Sequence, residues 1–126
     1  MTPKRILIVD DEDDIREVAQ VSLELIGGYE VLTASSGRDG LAQARGSQPD
    51  AILLDVMMPE MDGPATLLEL RADPATRDIP VVFLTANTQS AQRQQLGQLG
   101  AAGILSKPFD PLKLASDVAA ALHWVS

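Results

Sequence analysis

The stretch Ile52-Leu53-Leu54-Asp55 is apolar until it stops at one carboxylate, and the turn-rich segment Val56-Met57-Met58-Pro59-Glu60-Met61-Asp62-Gly63 follows it. A short apolar run bounded by turn signals reads as a strand buried on both faces. Such strands belong to parallel sheets, where helices cover both sides. The chain repeats the design. Arg5-Ile6-Leu7-Ile8-Val9 is closed by Asp10-Asp11-Glu12-Asp13-Asp14, Pro80-Val81-Val82-Phe83-Leu84 by Thr85-Ala86-Asn87, and Ala102-Gly103-Ile104-Leu105 by Ser106-Lys107-Pro108. Tyr29-Glu30-Val31-Leu32-Thr33-Ala34 is a more polar run and is expected nearer a sheet edge.

Between these runs the apolar spacing changes to that of a helix. Ile15, Val18, Ala19, Ser22, Leu25 and Ile26 share one helical face, acids support the first turn, and Gly27-Gly28 ends the helix. Ser35-Ser36-Gly37 opens a second helix, which carries Leu41 and Ala44 and stops around Gly46-Ser47-Gln48-Pro49. Asp62 is placed to cap a third, with Pro64 in its first turn and Leu67, Leu68 and Arg71 carrying it to Asp73-Pro74. A Gln-rich fourth helix over 89–98 has Leu96 and Leu99 as its apolar anchors. Asp110-Pro111 is expected to cap a fifth, with Leu112, Ala115, Val118, Ala119 and Leu122 on one face. The alternation predicts an α/β fold, a doubly wound five-stranded parallel sheet with helices on both faces. The last helix uses nearly all of the remaining residues, so 1–126 is expected to be one domain with no output domain beside it.

A chain of 126 residues can bury one good core. Its net charge of −8 argues against nucleic acid as a direct partner, because phosphate contacts need Lys and Arg. Without cysteine there is no disulfide framework or thiolate metal site. No apolar run approaches the ~20 residues of a membrane span. The apolar residues before Asp10 are too few for a secretory signal, so the cytoplasm is the expected location.

All strand ends of a parallel sheet lie on one edge, and ligands of such sheets bind in a crevice there, a rule established on folds of this architecture. If the first and third strands are neighbours, Asp10, Asp11 and Asp55 converge in that crevice. Carboxylates so close repel one another unless one is protonated or a cation is present. Hard oxygen ligands with no His or Cys beside them select Mg²⁺, or Mn²⁺ in its place. Lys107 brings a fixed positive charge and Thr85 a hydroxyl. Together these groups meet the needs of phosphoryl transfer: a nucleophile, charge neutralisation and donors for the phosphoryl oxygens.

Over essentially its whole length the sequence resembles the receiver domains of bacterial two-component response regulators. The resemblance rests on Asp10-Asp11, the Asp55 strand with Met58-Pro59 and Asp62-Gly63 behind it, Thr85-Ala86, and Lys107-Pro108-Phe109. It implies the flavodoxin-like strand order 2-1-3-4-5. It also implies that Asp55 accepts a phosphoryl group from a histidine kinase or a histidine phosphotransfer protein, and that an unidentified downstream protein reads the change. Mg²⁺ would be held by Asp10, Asp11, Asp55 and the backbone carbonyl of Met57, while Thr85 and Lys107 would contact the phosphoryl oxygens. Such a domain is a substrate and slow self-phosphatase more than an enzyme. Met57 and Asn87 match positions that flank the attacking water, and the Lys107–Pro108 bond is often cis in relatives. One departure stands out: Ile104 occupies the place of the aromatic residue that usually turns inward on activation.

Other readings fit less well. A flavin mononucleotide carrier of this fold needs a hydroxyl- and Gly-rich phosphate loop after the first strand, where this chain has five acids. A degenerate receiver acting as an unphosphorylated interaction module would not require all five site residues. Glu12, Asp13 and Asp14 read as helix-dipole partners, with Glu12 able to bear on the metal site from its edge. Met57, Met58 and Met61 read as loop and core filler. The single histidine, His123, is not expected to carry phosphate.

Overall fold

The computed structural model describes residues 3–86 and 89–124. Strands β1 (Arg5–Val9), β2 (Glu30–Ala34), β3 (Ala51–Asp55), β4 (Val81–Thr85) and β5 (Gly103–Ser106) alternate with helices α1 (Asp13–Leu25), α2 (Gly37–Ser47), α3 (Gly63–Ala72), α4 (Ser90–Gln98) and α5 (Leu114–Leu122). Every strand pairing is parallel, and the order is β2-β1-β3-β4-β5. The polar β2 does lie at an edge, and every residue of β3 and β4 is buried.

Side chains alternate across the sheet and divide the core in two. Leu7, Val9, Ile52, Leu54, Val81 and Phe83 face α2, α3 and α4, meeting Ala44, Leu67, Leu70 and Leu96. Ile6, Ile8, Leu53, Val82 and Leu84 face α1 and α5, meeting Ala19, Leu23, Leu114, Ala115 and Val118. Two helices start on side-chain caps: Ser36 Oγ accepts the Asp39 N–H at 3.1 Å, and Asp62 Oδ1 accepts the Ala65 N–H at 2.9 Å. Caps of this kind are each worth about 1 kcal/mol. Among the described residues, no helix is long and apolar enough to cross a membrane.

The helical faces differ from expectation at three places. In α1 the buried stripe is Ala19, Ser22 and Leu23, an i, i+3, i+4 set, while Val18 and Ile26 are exposed and Leu25 is 80% exposed. Counting aliphatic residues had tilted that face away from Leu23. In α3, Leu67 is buried and Leu68 exposed. Asp110 does not cap α5 but closes a turn ahead of it. Its carboxylate accepts the Leu112 N–H at 2.9 Å, its carbonyl accepts from Lys113 and Leu114, and the helix starts only at Leu114. Leu112 is therefore left 76% exposed.

Candidate functional site

Strand register sets the site. Val9 is level with Leu54, Asp55 with Leu84, and Thr85 with Ser106, so β1, β3, β4 and β5 finish together at one edge. Asp10 follows β1 directly and is fully buried. Its N–H donates to the Ala34 carbonyl at 3.1 Å, and its Oδ1 accepts the Glu12 N–H at 2.9 Å. Asp55 is the last residue of β3 and only 3% exposed. The Lys107 N–H donates to the Thr85 carbonyl at 2.9 Å, which ties the turn after β5 to the end of β4. The Lys107–Pro108 peptide bond is cis.

From that anchor the Lys107 ammonium reaches three carboxylates. Its Nζ lies 3.0 Å from Asp10 Oδ2, 3.2 Å from Asp55 Oδ1 and 3.2 Å from Glu12 Oε1. Carboxylate oxygens of Asp10, Asp11 and Asp55 all lie within 4.8 Å of one another. Asp11 Oδ1 and Asp55 Oδ2 are buried with no hydrogen-bond partner. Buried polar atoms are nearly always partnered, and carboxylate oxygens converging without donors are what a hard divalent cation requires. The three aspartates fit such an ion.

The electrostatics follow from this crowding. Burial, and then the charge of Asp10, push the Asp55 carboxyl up to about 6 against the pull of Lys107, with a smaller push from Asp11. Burial by itself would lower the Lys107 ammonium, but its hydrogen bond to Asp10 and the charges of Asp10 and Asp55 outweigh that and hold it above its ordinary value. At neutral pH the site therefore holds an ionised carboxylate and a fixed ammonium side by side.

The structure brings Asp10, Asp11, Asp55 and Lys107 together as expected, with Thr85 buried at the end of the adjoining strand. Met57 lies two residues past β3 on the same edge, its side chain 73% exposed. Asn87 lies outside the described residues. Ile104 is level with Phe83 and packs among Leu96 and Leu99 on the α4 side of the core. Glu12 reaches Lys107 from the rim. Arg16 was not anticipated. It donates to the Asp10 carbonyl at 2.7 Å and also holds Asp13, so it fixes the backbone of the acidic turn. The spacing of Asp13 and Arg16 by three residues was its one signal in the sequence.

Known proteins share the sequence pattern and the fold. The family model described as the response regulator receiver domain matches residues 6–119. The DNA-binding dual master transcriptional regulator RpaA of Synechocystis is 42% identical over 119 residues, 94% of this chain and 49% of that protein. The alkaline phosphatase synthesis transcriptional regulatory protein PhoP of Bacillus subtilis is 39% identical over 120 residues, 95% of this chain and 49% of its own length. The chain thus spans about half the length of these curated relatives. The chemotaxis response regulator CheY4 of Vibrio cholerae superposes with a TM-score of 0.88 at 35% identity, covering 95% of this chain and 99% of that one.

Proposed function

This chain belongs to the response regulator receiver domain family, the phosphoacceptor switch of two-component signalling, and on that premise we propose that Asp55 is the residue that takes the phosphoryl group. The observation that carries the assignment is a buried strand-end carboxylate with one oxygen 3.2 Å from Lys107 and the other unpartnered. With its carboxyl titrating at about 6, Asp55 is ionised and nucleophilic at pH 7.

An Asp55 oxygen attacks the phosphorus of a phosphohistidine on a histidine kinase or histidine phosphotransfer protein. The P–N bond breaks, its electron pair stays on the imidazole nitrogen, and that nitrogen takes a proton from solvent. Lys107 offsets charge on the transferred group and Thr85 donates its hydroxyl to a phosphoryl oxygen. Asp10, Asp11, Asp55 and the Met57 carbonyl would hold Mg²⁺, or Mn²⁺ in its place, and the ion supplies charge neutralisation when bound. The same site supports slow self-phosphorylation from small acyl phosphates and slow autodephosphorylation. The changed surface then alters binding of a downstream protein, with the cytoplasm as the setting and no direct contact to nucleic acid.

Intact mass tests the assignment. With Mg²⁺ and acetyl phosphate the protein should gain one alkali-labile phosphoryl group, and Asp55→Asn should not. Equal labelling of the variant would move the nucleophile elsewhere.

A further inference from the structure

Helix α4 is held differently from its neighbours. Leu96 is its one buried residue, whereas α3 buries four and α5 four. Two consecutive polar side chains tie it to the sheet instead. Gln92 Oε1 accepts the Thr85 hydroxyl at 3.3 Å, and Arg93 donates to the Ser106 hydroxyl. Thr85 and Ser106 are cross-strand partners at the ends of β4 and β5, next to Lys107. Meanwhile position 104 carries a partly buried aliphatic side chain packed against the core, so no ring there can report the state of Thr85.

We propose that Gln92 is a positioning residue, which draws the Thr85 hydroxyl toward α4 and gives it up when Asp55 carries a phosphoryl group. The inference rests on the phosphoacceptor reading of Asp55. A phosphoryl oxygen is charged and Gln92 Oε1 is neutral, so a shared donor goes to the phosphoryl group once it is present. At 3.3 Å the existing bond is long for a hydroxyl donor and exchanges at little cost. Loss of that tie removes one of the two polar side-chain contacts that join Gln92 and Arg93 to the sheet, and the helix is the element that moves. The signal thus leaves the site through a side-chain amide.

Beryllofluoride, a tetrahedral phosphoryl mimic that binds carboxylates, tests this at fixed Mg²⁺. Gln92→Leu removes the competing acceptor and should tighten beryllofluoride binding about three- to ten-fold, the worth of one neutral hydrogen bond. Gln92→Glu keeps an acceptor and adds a negative charge, so binding should weaken. A purely structural role for Gln92 would move both variants in the same direction. In a Thr85→Ala background the effect of Gln92→Leu should disappear. Hydrogen exchange of residues 90–98 should respond to beryllofluoride in the parent and respond less in Gln92→Leu. A Gln92→Leu variant that binds no tighter than the parent, or keeps its gain without Thr85, overturns the inference. Absence of any Mg²⁺-dependent binding by the parent would overturn the phosphoacceptor reading, and the role of Gln92 with it.

Discussion

Asp55→Asn should make the metal-free protein more stable at neutral pH. The folded protein holds the Asp55 carboxyl at about 6, because burial and Asp10 outweigh Lys107. In the unfolded chain an Asp titrates near 3.9. Between those values the folded state binds a proton that the unfolded state has released, so stability falls as pH rises from about 4 to about 6 and is level above that. A gap of about two pH units corresponds to at most about 3 kcal/mol, and solvent screening at the mouth of the site brings the expectation to about 1–3 kcal/mol. Asn carries no charge and escapes the loss. Urea unfolding of both proteins in EDTA, from pH 4.5 to 8, reads the difference directly. The two should converge at the acid end and separate across the window, with the variant more stable at pH 7 and above. Added Mg²⁺ should stabilise the parent more than the variant. A difference that is flat with pH, or a variant less stable than the parent above pH 7, would refute the charge balance assigned to Asp55.

Two other substitutions probe the frame of the site. Lys107→Ala removes the ammonium that contacts Asp10 and Asp55 and should cost about 3–5 kcal/mol without metal, as for a buried ion pair stripped of one partner. Thermal unfolding with and without Mg²⁺ should show part of that loss recovered by the ion, while acetyl phosphate labelling falls. Gly63→Ala would set a Cβ 2.5 Å from the Asp55 carbonyl oxygen and 2.8 Å from Val56 Cα, both backbone atoms that cannot swing aside. Destabilisation of about 1–3 kcal/mol, read by urea unfolding, is expected.

What could be read from the sequence follows from what each signal encodes. Fully buried strands announce themselves as unbroken apolar runs, so β1, β3 and β4 were legible within a residue or so, and their order placed the carboxylates at one edge. The cap at Asp62 was legible, as was the opening of α2 at Ser35-Ser36-Gly37, because side-chain chemistry and position coincide there. Helical faces were less so. Val18 and Leu25 of α1 and Ile26 just after it face solvent, and hydropathy does not distinguish an apolar residue in the core from one left outside it. Contacts made by long polar side chains were the hardest to read. Arg16 to Asp10, Lys107 to Glu12 and Thr85 to Gln92 depend on where two elements meet, and no periodicity encodes that.

The same contacts explain why a site this acidic can receive an anion. Asp10, Glu12 and Asp55 contact a single ammonium and Asp11 adjoins the other two aspartates, so an approaching phosphoryl group meets net repulsion. Lys107 cannot cancel it, because Asp10 and Asp55 already engage its charge. Asp11 and Asp55 nevertheless each keep an oxygen without any donor, which suits the carboxylate cluster to a dication. If Asp55 takes the phosphoryl group as proposed, charge balance calls for a cation beside it. In the proposed reaction Lys107 and Thr85 are donors for the new oxygens, and one partner of Thr85, Gln92, lies on a lightly anchored helix. On this proposal reactivity is set by charges that the sheet edge holds still, whereas the response is carried where the packing is thinnest.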